Sequence, residues 1–212
     1  MRLDEVGKRY GVRAPWVIRD LSLEIRPGDL IQLEGGNGTG KSTLARVIAG
    51  VTEPSRGKVT GRPASTGYVP ERFPPALPFT GLGYLRHLGR IRGLAGAELE
   101  SRIDQWLDRL GGAPFAGHSF KSMSKGTAQK FAIAQALLPR GGLLVLDEAW
   151  TGLDESAREA LADAVRERLE DDGSVVFIDH FSERGSVRPT RRYRLRAGGL
   201  SEIQPEAGGA AK

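Results

Sequence analysis

The chain has 212 residues, 39% hydrophobic and 27% charged, with no cysteine and a formal net charge of +5. That is enough length and apolar content for one large domain, or for a domain carrying a subdomain. A disulfide framework and a thiolate metal site are excluded, and no apolar run approaches the ~20 residues a membrane helix needs.

The N-terminal stretch Met1–Val6 is charged and lacks the apolar core of a signal peptide, so a cytosolic protein is expected. Residues 3–34 read as β structure. Leu21, Leu23 and Ile25 alternate with Ser22 and Glu24, and Pro27-Gly28 marks a turn. Tyr10 lies in a polar stretch and suits either a packed position or a ligand contact.

The strand-like run Leu30–Leu33 leads into Gly35-Gly36-Asn37-Gly38-Thr39-Gly40-Lys41-Ser42, which fits the phosphate-loop pattern G-x-x-x-x-G-K-S/T. Thr43 to Ala49 then reads as a helix, with Gly50 suited to its C-terminal cap. Glycines let backbone N–H groups converge on phosphate oxygens where a Cβ would crowd them, and the helix N-terminus adds to the attraction. Lys41 can reach the β- and γ-phosphates, and the Ser42 hydroxyl can ligate Mg2+. A nucleoside triphosphate is the expected ligand.

Further along, Lys58–Thr60 and Gly67–Val69 read as short strands, and Pro70, Pro74, Pro75 and Pro78 mark a boundary. Residues 81–122 read as helical, with apolar stripes that include Tyr84, Leu85, Leu88 and Ile91, then Leu99, Ile103, Trp106, Leu107 and Leu110. His87 and His118 have no partner cluster, so no metal role is expected for them. A helix opens near Met123 and runs to Leu138, with Ser124 suited to its N-cap.

The continuous apolar run Leu143–Leu146 reads as a buried parallel strand. It delivers Asp147 and Glu148 at its C-terminal end, where open α/β sheets place their ligands. Asp154 or Ser156 suits the cap of a helix running to about Asp171. Ser174–Ile178 reads as a second buried strand, with His180 just beyond it. A final hairpin is expected from Arg191–Arg196 and Leu200–Ile203, joined by Gly198-Gly199, and then a disordered tail over residues 204–212. Much of the basic excess gathers here, in Arg184, Arg188, Arg191, Arg192, Arg194 and Arg196. Only Tyr193 interleaves it and no base-reading motif is present, so it reads as a solvated strand face and no nucleic-acid partner is expected.

Taken in order, residues 3–203 resemble the ATP-binding subunit of an ABC (ATP-binding cassette) transporter. Gly35–Ser42 matches that family's Walker A loop, Leu143–Glu148 its Walker B strand, and Thr151–Asp154 its D-loop. Tyr10 matches the aromatic that stacks on adenine, His180 the switch histidine that contacts the γ-phosphate, and residues 123–127 the family signature. The resemblance implies an α/β fold. A P-loop NTPase core with a parallel sheet would carry an N-terminal antiparallel β subdomain and an inserted helical subdomain at about 79–138, all in a single domain over 1–203.

It also implies ATP and Mg2+ as cofactors. Lys41, Glu148 and His180 would serve hydrolysis, and Ser42, Asp147 and Glu71 the metal. Tyr10, the loop from Gly35 to Thr43, Ser124, Gly126 and Asp154 would contact nucleotide. Two cassettes would pair head to tail, as a homodimer or a heterodimer, with Ser124 and Gly126 completing the opposite chain's site. Separate transmembrane permease subunits would hold the pair at the inner face of the cell membrane, where ATP hydrolysis powers transport. The rival readings are a soluble ABC-type ATPase in assembly or repair, and an ATP-gated clamp without transport.

Three departures stand out. The signature is usually Leu-Ser-Gly-Gly-Gln and here reads Met123-Ser124-Lys125-Gly126-Thr127. Glu71 stands where the family has Gln, and Ala149-Trp150 where it has Pro-Thr. Trp150 either packs or sits exposed beside the D-loop. Phe73, Leu77 and Phe79 either fill the subdomain junction or line a groove for a partner helix.

Overall fold

The computed structural model describes residues 1–74, 77–178 and 188–203. The first three strands follow the alternation read above: β1 (Arg2–Lys8), β2 (Ile18–Glu24) and β3 (Leu30–Glu34). β1 pairs antiparallel with β2 and with β4 (Arg56–Thr60), making a three-stranded sheet ordered β2-β1-β4.

β3 belongs instead to a six-stranded sheet ordered β5-β6-β7-β3-β8-β9. Its other members are β5 (Thr66–Val69), β6 (Leu143–Asp147), β7 (Ser174–Ile178), β8 (Arg191–Arg196) and β9 (Gly199–Ile203). Every pairing is parallel except β8 with β9. Burial on both faces explains the unbroken apolar runs. Leu144, Leu146, Val175 and Phe177 enter one core, whereas Leu143, Val145, Val176 and Ile178 enter the other.

The second of these cores also holds Leu44, Val47 and Ile48 of α1 (Lys41–Ala49) and the inward residues of the N-terminal sheet. The first packs under α2 (Gly81–Ile91), α3 (Gly96–Arg109), α4 (Lys125–Leu137) and α5 (Glu155–Glu170). Thr80, Ser124 and Asp154 cap α2, α4 and α5 by accepting from the N–H of Gly83, Thr127 and Ala157. Each thereby satisfies an otherwise unpaired donor of a first helical turn.

Several expectations change. The segment 81–122 is not helical throughout, because α3 ends at Arg109 and only two 3-10 turns follow, Ala113–Phe115 and Phe120–Ser122. The final hairpin turns at Ala197-Gly198, with Gly199 already in β9, and β8 is a full member of the main sheet beside β3. Its arginines are not merely solvated. Arg191 pairs with Asp29 and Glu202, at 3.1 and 3.2 Å, while Arg192 and Arg194 share Glu34, at 3.0 and 3.1 Å. Arg184 and the expected tail over 204–212 lie outside the described residues.

Phe73, Leu77 and Phe79 are half-buried against the helical core. Phe73 lies 4.9 Å from Phe120 and 5.3 Å from Tyr84 between ring centroids, and Phe79 stacks on His87 at 5.3 Å. These contacts fill the junction.

Trp150 is buried, 3% exposed, with its ring edge-on to Phe177 at 5.9 Å. Truncating so large a buried ring leaves a void, so Trp150→Ala is expected to cost about 3–5 kcal/mol. A urea titration should show a lower midpoint at unchanged slope. A midpoint equal to wild type would contradict the packing described.

Candidate nucleotide site

The glycine-rich turn needs glycine at its end as well as at its start, where a Cβ on Gly35 would lie 2.6 Å from the Leu195 carbonyl oxygen. Gly40 has φ 103°, and a Cβ there would lie 3.0 Å from both Cγ1 and the carbonyl oxygen of Val17. With Gly40 as its cap, α1 begins without any side-chain acceptor, so its first N–H groups remain available to an anion. Lys41 Nζ donates to the carbonyls of Gly35 and Gly36 at 2.8 and 2.9 Å, which folds the ammonium back over the loop. The Thr39 hydroxyl donates to the Gly36 carbonyl at 2.8 Å.

A cleft of about 410 Å3 opens above this loop. Val17, Asn37, Gly38, Gly40, Lys41, Ser42 and Thr43 line it, together with Glu71 and Glu148. Tyr10 stands beside it, its hydroxyl 3.3 Å from that of Thr43 and its ring 56% exposed. A core position for Tyr10 is thus excluded. Its hydroxyl meets the first turn of α1, and the Lys8 ammonium lies over its ring, 5.3 Å from the centroid.

Asp147 closes the floor at the end of β6. It is 1% exposed; Oδ1 accepts from the Ser42 hydroxyl at 3.2 Å, and among the described residues Oδ2 has no hydrogen-bond partner. Burial pushes its carboxyl up to about 6; Glu71 and Glu148 add to that, while the Ser42 bond opposes it. An orphaned, buried carboxylate oxygen beside a serine hydroxyl, with Glu71 on the same cleft, is an all-oxygen donor set that fits a hard dication such as Mg2+.

Glu148 follows directly. Its backbone is left-handed, φ 51°, a strained conformation for a residue with a Cβ. Its N–H donates to the Ile178 carbonyl at the end of β7, at 2.8 Å. Glu148 lines the same cleft as Lys41.

The start of α4 is built differently. Ser124 bonds the N–H and the hydroxyl of Thr127, at 3.1 and 2.8 Å. A Cβ on Gly126 would meet the Gly152 carbonyl at 2.5 Å, so only glycine allows this close approach of α4 to the segment after β6. Neither Ser124 nor Gly126 lines the Lys41 cleft. His180 lies outside the described residues.

Two side chains that sequence reasoning passed over tie these parts together. Lys130, nearly buried, donates to Asp154 Oδ2 at 2.6 Å, and Gln129 donates to the Ala149 carbonyl at 3.3 Å. The Lys130 bond, with those from the Ala157 N–H and the Ser156 hydroxyl, holds Asp154 down at about 2. The signal was present: Gln129, Lys130 and Gln135 interrupt a stretch of α4 that is otherwise apolar and buried.

Comparison with known proteins places these features. Residues 18–151 match the family model described as ABC transporter. The zinc import ATP-binding protein ZnuC of Roseobacter denitrificans is 35% identical over 182 residues, covering 84% of this chain and 68% of the relative. A solved ATP-binding subunit of an ABC transporter superposes with a TM-score of 0.83 at 25% identity, over 95% of this chain and 88% of the other. A dimeric ATP-binding cassette solved in a post-hydrolysis state with ADP and Pi shares the fold, with a TM-score of 0.81 at 22% identity over 96% and 99%.

The raised Asp147 carboxyl carries a sign. Because its folded value, about 6, exceeds the ordinary 3.8, burial favours the neutral form. That contribution is complete below about 3.8 and lost as pH rises through 6. In metal-free buffer, Asp147→Asn is expected to raise the melting temperature at pH 8 by about 3 °C. The gain should shrink at pH 5. An equal gain at both pH values, or none at either, would contradict the burial penalty.

Proposed function

Since the chain belongs to the ABC transporter family and is an ATPase of that class, we propose that it powers transport through separate membrane-spanning subunits. Among the described residues no helix is long and apolar enough to cross a membrane, which supports a separate permease and a peripheral place at the inner membrane face. The observation that carries the catalytic reading is the shared cleft. One phosphate loop, one lysine and two carboxylates face the same space, over a buried aspartate whose second oxygen lacks a partner.

The loop N–H groups and Lys41 bind the β- and γ-phosphates, and the exposed Tyr10 stacks on adenine. Ser42, Asp147 and Glu71 would hold Mg2+, which would supply positive charge to offset that of the triphosphate. Glu148 accepts the proton of the attacking water as the bond from the γ-phosphorus to its bridging oxygen breaks, leaving ADP and phosphate. Most of the acceleration comes from positioning and fixed charge. His180 is assigned to the γ-phosphate by family resemblance alone.

Ser124 and Gly126 are absent from the cleft lining, which supports a second cassette docking head to tail so that each chain completes the other's site. The second cassette is another copy of this chain or a related one. The solved dimeric cassette is consistent with either arrangement. Cargo is selected by the permease.

Glu148→Gln should retain ATP binding and lose hydrolysis by at least about a hundredfold, because the amide packs alike but accepts no proton. It should also elute as an ATP-dependent dimer on gel filtration. Turnover within a few-fold of wild type would remove Glu148 as the base.

Lys41→Ala and Ser124→Arg should each be inactive alone and regain ATPase when mixed, since one site of the mixed dimer is then intact. Mixtures that stay inactive at every ratio, and that gain no tight ATP binding, would count against the shared site.

A further inference from the structure

The cleft is unusual in its charge. Among the described residues Lys41 is the one cation that lines it, whereas Glu71 and Glu148 both line it and Asp147 is buried next to Ser42. Arg46, on the next turn of α1, is near enough to offset some of the charge on Asp147. Glu71 is not tied up elsewhere. Among the described residues its one ion pair is to Arg72, at 3.6 Å, and that side chain is 88% exposed, so the pair is weak. Glu71 also opposes the ionisation of Asp147, which places the two carboxylates within each other's field.

We propose that Glu71 makes triphosphate binding at this site conditional on a divalent cation. Metal-free ATP carries four negative charges and meets two carboxylates in the cleft, with a third buried close by, whereas a bound dication lets the same carboxylates attract the complex. A glutamine at position 71 would still offer an oxygen ligand but would not repel the bare nucleotide. Coupling is reciprocal, so ATP must tighten metal binding by the same factor as metal tightens ATP binding. The inference rests on the ATP-site reading above and adds a specificity role for one residue.

The test uses the full chain and the non-hydrolysable β,γ-imido analogue of ATP, titrated calorimetrically in excess Mg2+ and again in EDTA. The quantity of interest is the ratio of the two dissociation constants. In Glu71→Gln this ratio should narrow by at least about fivefold relative to wild type, chiefly through tighter binding in EDTA. Electron paramagnetic resonance of Mn2+ in the presence of the analogue should show the variant's metal affinity falling by a matching factor. Glu71→Asp keeps the charge and should keep the wild-type ratio. A narrowing of less than fivefold in Glu71→Gln, or a Glu71→Asp protein that behaves like it, overturns the proposal. A wild-type protein that binds the analogue in neither buffer refutes the ATP site itself, and the proposal with it. Circular dichroism of each variant confirms that the comparison is between folded proteins.

Discussion

A buried carboxylate with one hydrogen bond is a liability that a fold tolerates only where something else is to be bound. Asp147 is that group, and the architecture converges on it. β6 must run through both cores to bring it to the floor of the cleft, and α1 must start where it does for Ser42 to reach Oδ1. The left-handed turn at Glu148 then sends the next carboxylate upward rather than along the strand. Loop, helix start and strand end thus form one oxygen-lined pocket, contributed by residues 105 positions apart.

Much of this was legible from local patterns, and the reasons are specific. The phosphate loop is encoded within eight residues whose spacing has few other uses. β6 and β7 were readable because strands buried on both faces drop their polar alternation, and both lie beneath helices on either side. Ser124 and Asp154 were readable as caps because an N-cap is decided by contacts three residues away.

What escaped was long-range. Arg192 and Arg194 of β8 find their partner far off in sequence, since Glu34 lies 160 positions before Arg194, and without that pairing a charged strand looks solvated. The buried seat of Trp150 depends on Phe177, in the next strand of the sheet. Lys130 looks like one more surface lysine until α4 is seen to be enclosed. Its bond to Asp154, the Gln129 bond to Ala149 and the tight approach of Gly126 to Gly152 join the start of α4 to the segment after β6. The two stretches are therefore fastened to each other at three points.

The order of strands has a consequence for how the protein is made. β3, which feeds the phosphate loop, is flanked by β7 and β8: Leu30 lies opposite Val175, and Ile31 opposite Arg191. Both neighbours leave the ribosome long after the loop itself, by a delay on the order of ten seconds at ordinary rates of synthesis. Through that interval the apolar run Leu30–Leu33 has no strand on either side, and closing so distant a pairing is slow. A nascent chain cut short before residue 174 therefore carries the entire phosphate loop with no sheet in which to seat it.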